Sequence, residues 1–120
     1  MEIAALAYCV IAATDPQQWV RFGEDIAGFS AHDAPGGIAL RLDERAGRVF
    51  VEPAGSDRFL ACGWELRTRR EFEAALEELA QRGIAFTRAT PAELALRHVA
   101  EMAWLLDPAG NRHELAFGPV

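Results

Sequence analysis

The 120-residue chain contains no lysine: all twelve basic residues are arginine, against eighteen acidic residues, for a formal net charge of −6. A nucleic-acid-binding protein neutralises phosphates with a basic surface, so this acidic balance argues against that class. A neutral or cationic small molecule is the ligand that the charge favours. Because 51% of the residues are hydrophobic and no long run of like charge occurs, the composition predicts one ordinary globular domain.

Long apolar runs and cysteines are also scarce. An apolar stretch over residues 3–13 is too short to cross a bilayer. It follows Glu2 rather than a basic segment, so we interpret it as a buried strand and not as a signal peptide. The two cysteines, Cys9 and Cys62, are expected to be reduced thiols in a cytoplasmic protein. We therefore expect no membrane partner and no nucleic-acid partner.

Familiar catalytic motifs are absent from the sequence. It has no Ser-His-Asp order, no glycine-rich phosphate loop and no Cys-x-x-Cys pair. Of the three histidines, His32 is expected in a loop, His98 before a strand and His113 on the last strand. No two of them have metal-ligand spacing within one helix or strand, and His113 and Glu114, being adjacent on a strand, must point to opposite faces.

Two segments have clear helix signals. Residues 15–28 begin with an Asp cap followed by proline, end at a glycine and place Trp19, Phe22 and Ile26 on one face. Residues 68–83 begin with a capping box and end at a glycine. The apolar face of this second helix consists of Phe72, Ala75, Leu76 and Leu79.

The other periodic segments predict short strands. They cover residues 3–13, 37–42, 48–52, 59–66, 84–87, 99–106 and 112–117. Turn residues at 43–47 and 107–111 predict two hairpins. Residues 91–97 are expected to form one or two helical turns.

The order strand, helix, strands occurs twice, which predicts an internal duplication. A shift of 53 residues places Tyr8 on Ala61. We predict an α+β fold in which residues 1–120 are a single module of two βαβββ repeats, about 1–55 and 56–120. The repeats are expected to form a cupped mixed sheet with the helices on one face.

Two segments resemble the vicinal oxygen chelate (glyoxalase/bleomycin-resistance/dioxygenase) superfamily: residues 6–15 (LAYCVIAATD) and residues 107–114 (DPAGNRHE). The middle of the chain, residues 40–51 (LRLDERAGRVFV) and 63–66 (GWEL), resembles the N-terminal module of type I extradiol dioxygenases. Those enzymes cleave catechol-like rings such as dihydroxybiphenyls.

The resemblance implies where a metal site would lie. Catalytic modules of the superfamily hold a divalent metal with two histidines and one carboxylate. The matching positions here are Tyr8, Ala61 and Glu114, so one ligand of three is retained. Trp104 takes the place of a tyrosine that helps to orient substrate. We expect no metal ligand and no catalytic residue in this module, and Fe(II) or Mn(II) only if a second, catalytic module exists.

Tyr8, Trp104 and Glu114 are the candidate ligand-binding residues. The two rings could line a cup that accepts a small aromatic molecule, with Glu114 as an anchor. In the alternative interpretation the rings fill the core, and Glu114 pairs with an arginine. A metal site rebuilt from His98 and Glu114 is a further alternative.

Three functions are compatible with the sequence. The first is the non-catalytic N-terminal module of an extradiol dioxygenase, an oxidoreductase of aromatic catabolism, with a C-terminal catalytic module as partner and residues 118–120 starting a linker. The second is a stand-alone homodimer that sequesters small molecules, as bleomycin-resistance proteins do. The third is a small enzyme that uses Glu114 with ligands from a partner chain. Whether this chain is itself an enzyme stays open.

Overall fold

The computed structural model describes residues 1–119, which form eight strands and three α-helices. The strands are β1 (Ala5–Ala13), β2 (Ser30–Ala34), β3 (Gly37–Arg41), β4 (Val49–Pro53), β5 (Arg58–Glu65), β6 (Thr87–Arg88), β7 (Val99–Leu106) and β8 (Arg112–Pro119). The helices are α1 (Pro16–Phe22), α2 (Arg69–Gln81) and α3 (Pro91–Arg97), and a π-helix at Gly23–Ala27 continues α1. The α+β class is confirmed. Among these residues no helix has the length and apolar character needed to span a membrane.

The chain divides into two compact units. The first unit is Tyr8–Leu60, and the second unit comprises Met1–Ala7 and the chain from Ala61 onward. The first unit has the strand order β2-β3-β4-β1, in which only the β4–β1 pair is parallel. The second has the order β6-β7-β8-β5, in which only the β8–β5 pair is parallel. The same mixed topology therefore occurs twice, as the predicted βαβββ repeats require.

The helix after β1 begins as predicted but changes its winding. Asp15 accepts a hydrogen bond from the backbone N–H of Gln17 at 3.2 Å and caps α1. After Phe22 the backbone continues as a π-helix, and Gly28 ends it in the left-handed conformation, with φ +77°. An L side chain rarely adopts this φ, which explains the glycine at that position.

The predicted apolar face of this helix is right for Trp19 and wrong for Phe22 and Ile26. Phe22 and Ile26 are 50% and 76% exposed. The helix instead packs through Trp19 and Gly23, and a Cβ on Gly23 would lie only 3.2 Å from a methyl carbon of Leu40. The core of the first unit consists of Ala13, Ile38, Leu40 and Val51, with Trp19 and Val20 packed against it. The small residue Gly23 lets the helix approach the sheet, and Phe22 and Ile26 face outward.

Helix α2 forms as the sequence predicts. The Thr68 hydroxyl accepts a hydrogen bond from the backbone N–H of Glu71 at 3.1 Å. The four residues predicted for its apolar face, Phe72, Ala75, Leu76 and Leu79, are all buried. They pack with Leu66, Ala103 and Leu115 of the second unit.

Three local expectations are corrected. Strand β2 was not predicted, and His32 lies in it rather than in a loop. Its exposed side chains are polar and do not alternate regularly with its half-buried alanines, and its main chain pairs with β3. Strand β6 is shorter than predicted and starts at Thr87. Strand β8 includes Gly118 and Pro119, where a linker was expected, and Val120 lies outside the described residues.

Substitution of Phe72 by Ala tests the packing of α2. Phe72 is fully buried, so we expect the free energy of unfolding to fall by about 3–5 kcal/mol, measured by urea denaturation. Phe22→Ala is the matched control, because half of that side chain is exposed, and it should cost less than about 1 kcal/mol. Equal losses for the two variants would contradict the assignment of the core.

Candidate functional site

Glu114 lies in the middle of the second unit with its side chain completely buried. On β8 it pairs in register with Trp104 of β7 and with Gly63 of β5. Its neighbour Leu115 packs in the α2 core, so the alternation of strand side chains places Glu114 on the opposite face of the sheet. Within residues 1–119 it is the one charged residue that is buried.

Two arginines hold the Glu114 carboxylate. Arg97, the last residue of α3, donates from Nε to Oε1 at 2.8 Å and from Nη2 to Oε2 at 3.2 Å. Arg112 donates from Nε to Oε2 at 2.9 Å. A buried carboxylate is strongly destabilising unless it is paired and hydrogen-bonded. The two guanidinium groups meet that requirement, as the alternative interpretation of Glu114 predicted.

The arginines are themselves positioned by further contacts. Arg112 donates from Nη2 to Glu93 Oε2 at 3.3 Å, and its guanidinium carbon lies 4.4 Å from the centre of the Trp104 ring. Glu93 and Thr90 form a reciprocal capping box at the start of α3. The Thr90 backbone N–H, followed by the Arg112 guanidinium, lowers the pKa of Glu93 from its ordinary value. We call Glu114, Arg97, Arg112 and Glu93 the carboxylate–arginine cluster.

The residues at the family's metal positions do not fit a divalent metal. Ala61 is buried and carries no ligating atom, and the Glu114 carboxylate already binds two guanidinium groups. Tyr8 lies in the first unit, buried, with its ring edge-on to Phe50 at a centroid distance of 5.4 Å. Throughout the part of the chain that the structure describes, no group of three or more His, Cys, Asp or Glu residues could hold a metal ion.

The predicted ligand-binding residues are only partly brought together. Trp104 and Glu114 are register partners on adjacent strands, whereas the contact described for Tyr8 is with Phe50 in the first unit. That any of the three binds a ligand stays a prediction. His98 was the alternative metal ligand beside Glu114. It is the C-cap residue of α3 and has the left-handed backbone conformation.

Sequence reasoning missed the arginines of this cluster. Arg112 and Glu114 are two residues apart on one strand and therefore share a face. This spacing could have predicted their contact. Arg97 comes from a different element, and no spacing in the sequence connects it with Glu114.

A second polar cluster lies on the helix side of the same sheet. The Trp64 indole N–H donates to His113 Nδ1 at 3.0 Å, so His113 Nε2–H donates to Asp107 Oδ2, also at 3.0 Å. The bond from His113, followed by the backbone N–H of Asn111, lowers the pKa of Asp107 from 3.8 to about 2. His113 and Glu114 thus occupy opposite faces, as predicted, and His113 fixes the turn before β8.

The cysteines are not paired with each other. Neither Cys9 nor Cys62 forms a disulfide, and both are half-buried; burial raises the pKa of the Cys9 thiol. A raised thiol pKa lowers the thiolate fraction at neutral pH.

The chain is similar to ring-cleaving dioxygenases. A family model described as "Dihydroxybiphenyl dioxygenase BphC D1" matches residues 6–54. The iron-dependent extradiol dioxygenase of Rhodococcus jostii (strain RHA1) is 32% identical over 120 residues, covering 98% of this chain and 40% of the relative. Biphenyl-2,3-diol 1,2-dioxygenase of Pseudomonas sp. (strain KKS102) is 34% identical over 121 residues, covering 100% of this chain and 41% of the relative.

Solved structures give the same result. BphC, a halotolerant catechol dioxygenase, matches with a TM-score of 0.89 and 33% identity over 98% of this chain and 40% of its own. A catechol 2,3-dioxygenase matches with a TM-score of 0.93 and 29% identity over 99% of this chain and 43% of its own. The chain spans about two fifths of the length of the curated relatives it matches.

Substitution of Glu114 by Gln tests the carboxylate–arginine cluster. The variant leaves two guanidinium groups without their shared anion, so we expect a loss of about 3–5 kcal/mol in the free energy of unfolding. Glu73→Gln is the matched control: it removes a carboxylate that pairs with Arg88 at 2.6 Å in an exposed position, and its effect should be much smaller. Urea denaturation measures the free energy of unfolding of both variants. Similar losses would show that the buried ion pairs of Glu114 stabilise the fold no more than an exposed pair does.

The pH dependence of Asp107 tests the second cluster. Its folded pKa of about 2 lies below the ordinary 3.8, so ionised Asp107 stabilises the fold above about pH 3.8 and this contribution is lost as pH falls toward 2. The carboxyl-carbon NMR shift of Asp107 should titrate near pH 2. His113→Phe removes the hydrogen bond that is the largest cause of the lowered pKa, so the titration midpoint of Asp107 should rise toward 3.8. An unchanged midpoint would show that His113 does not lower this pKa.

Proposed function

Because the chain is a vicinal oxygen chelate module of the kind that forms the N-terminal domain of type I extradiol dioxygenases, we propose that it serves as the non-catalytic N-terminal module of such an enzyme. One observation carries the proposal. The carboxylate that corresponds to the family's metal ligand, Glu114, is buried and bound by Arg97 and Arg112. A carboxylate neutralised in this way is a poor ligand for a cation, because the metal would have to displace two guanidinium groups.

In this proposal the chemistry resides in a partner, a C-terminal catalytic module. The length of the relatives supports this, since 98% of this chain matches 40% of the Rhodococcus jostii dioxygenase. Fe(II) or Mn(II), if required, would be held by that second module. Cleavage of a catechol-like ring would be the activity of the whole protein in the cytoplasm, a location that the lack of a disulfide at Cys9 and Cys62 supports.

The role of this module is then to provide a rigid, stable body against which the catalytic module folds. The carboxylate–arginine cluster supports that role because it fixes α3 to the sheet through Arg97 and Glu114. Exposed apolar side chains of the first unit, Phe22 and Ile26, are the kind of surface that a neighbouring module would cover.

The runner-up function is a stand-alone homodimer that sequesters a small molecule, as bleomycin-resistance proteins do. The net charge of −6 and the same exposed apolar residues, Phe22 and Ile26, support it, since a second copy could cover them. The two proposals differ in whether the natural polypeptide contains a second module.

Metal and oxygen assays on the 120-residue chain test the absence of catalysis. Anaerobic calorimetry with Fe(II) should give no stoichiometric heat, and biphenyl-2,3-diol with Fe(II) should cause no oxygen uptake above the protein-free rate. The reason is that Ala61 has no ligating atom and that two guanidinium groups already bind the Glu114 carboxylate. The biphenyl-2,3-diol dioxygenase of Pseudomonas sp. (strain KKS102) is the positive control. Stoichiometric Fe(II) binding together with oxygen uptake would overturn the proposal in favour of a small enzyme.

A further inference from the structure

The outer edge of the second unit's sheet is built differently from that of the first unit. In the first unit the edge strand β2 pairs with β3 over five residue pairs. In the second unit the corresponding strand β6 pairs with β7 only through Thr87 and Arg88. The residues that lead into β6, from Ile84 to Phe86, follow the left-handed Gly83 and form no ladder with β7 among the pairings that the structure describes.

This shortened pairing accompanies a cavity of about 320 Å³. We call it the edge cavity; its lining residues are Ile84, Ala85, Phe86, Thr87, Trp104, Leu105 and Leu106. The lining side chains carry no formal charge, and the polar groups among them are the Thr87 hydroxyl and the Trp104 indole N–H. Ile84 and Leu106 are 40% and 55% exposed, so the cavity is accessible from solvent.

The aromatic wall of the edge cavity is held in place by the carboxylate–arginine cluster. Arg112 lies over the Trp104 ring at 4.4 Å, and the same guanidinium binds Glu114 and Glu93. A stacked guanidinium restricts the rotation of the indole. Less side-chain freedom is then lost when a ligand binds, which favours affinity.

We propose that the edge cavity binds a neutral aromatic molecule of one or two rings. An apolar cavity of about 150 Å³ accommodates benzene, and ligand pockets in proteins begin at about 300 Å³, so 320 Å³ suits a molecule of this size. Uncharged, mostly apolar walls favour a neutral ligand, and the indole of Trp104 offers a ring contact. The hydroxyl of Thr87 could pair with one polar group on the ligand.

This site is separate from the catalytic proposal. It requires no metal and no second module, and it uses β6, β7 and the segment before β6 rather than the position of Ala61. Its failure would leave the proposed function unchanged, and a failure of the proposed function would leave this site unchanged.

NMR titration of the 120-residue chain tests the proposal. Biphenyl-2,3-diol in anaerobic buffer is the neutral probe, and 4-phenylbenzoate is the charged one. Trp104→Phe assigns the Trp104 indole N–H signal among the three tryptophans. We expect saturable shifts of that signal and of the amides of residues 84–87, 105 and 106 with the neutral probe, and at least about tenfold weaker binding of the anion.

Two leucine variants make the test specific. Leu106→Arg introduces a charge into the lining and should weaken binding of biphenyl-2,3-diol at least about tenfold. Leu42→Arg, at a leucine of similar exposure in the first unit, should leave binding unchanged. The proposal is overturned if the probe shifts no edge-cavity signals up to its solubility limit, or if both variants bind equally. It is also overturned if the same signals shift with protein concentration alone, which would indicate a second copy at this edge.

Discussion

The buried ion pairs of Glu114 underlie both candidate sites of the second unit. An ionised carboxylate without solvent exposure is tolerated only when partners compensate its charge, and Arg97 and Arg112 do so at 2.8 and 2.9 Å. The pairing connects α3 to β8 and, through Arg112, to Glu93 and to the face of Trp104. The same contacts explain why Glu114 is unsuited to a metal and why an indole is fixed at the wall of a cavity.

The two units share one strand topology but differ in a helix and in the length of the edge strand. Both have the order of a βαβββ repeat, but the second contains the additional helix α3 between β6 and β7. That helix supplies Arg97, which fills the position beside Glu114. The edge strand of the second unit is also shorter than that of the first. An inserted helix and a shortened strand therefore distinguish the second unit, and both of its candidate sites lie beside them.

Much of this fold could be predicted from the sequence because the signals were local. The Thr68 cap and the spacing of Phe72 and Leu79 were enough to identify α2 and its buried face. For the helix after β1, the spacing of Phe22 and Ile26 wrongly predicted that both are buried. Close packing at Gly23 decides which face of the helix is buried, and a glycine adds nothing to an apolar pattern in the sequence. Strand β2 was not predicted because its sequence lacks a regular alternation of apolar and polar residues. Its main chain pairs with β3.

The site was less predictable than the fold. Glu114 and Trp104 were identified from a resemblance, and the period of two along a strand links Arg112 to Glu114. Arg97 reaches Glu114 from another element, 17 residues away along the chain, and only the tertiary structure shows that contact. The edge cavity depends on where β6 stops pairing, and strand ends are the least certain part of any sequence-based prediction.

The intact mass of the native gene product in its source cells decides whether this chain is joined to a catalytic module. This chain of 13.1 kDa covers 40% of the Rhodococcus jostii relative, so we expect a polypeptide about two and a half times as heavy, with a catalytic module in the additional sequence. A native product of 13.1 kDa would contradict it and would favour the homodimeric binding protein instead.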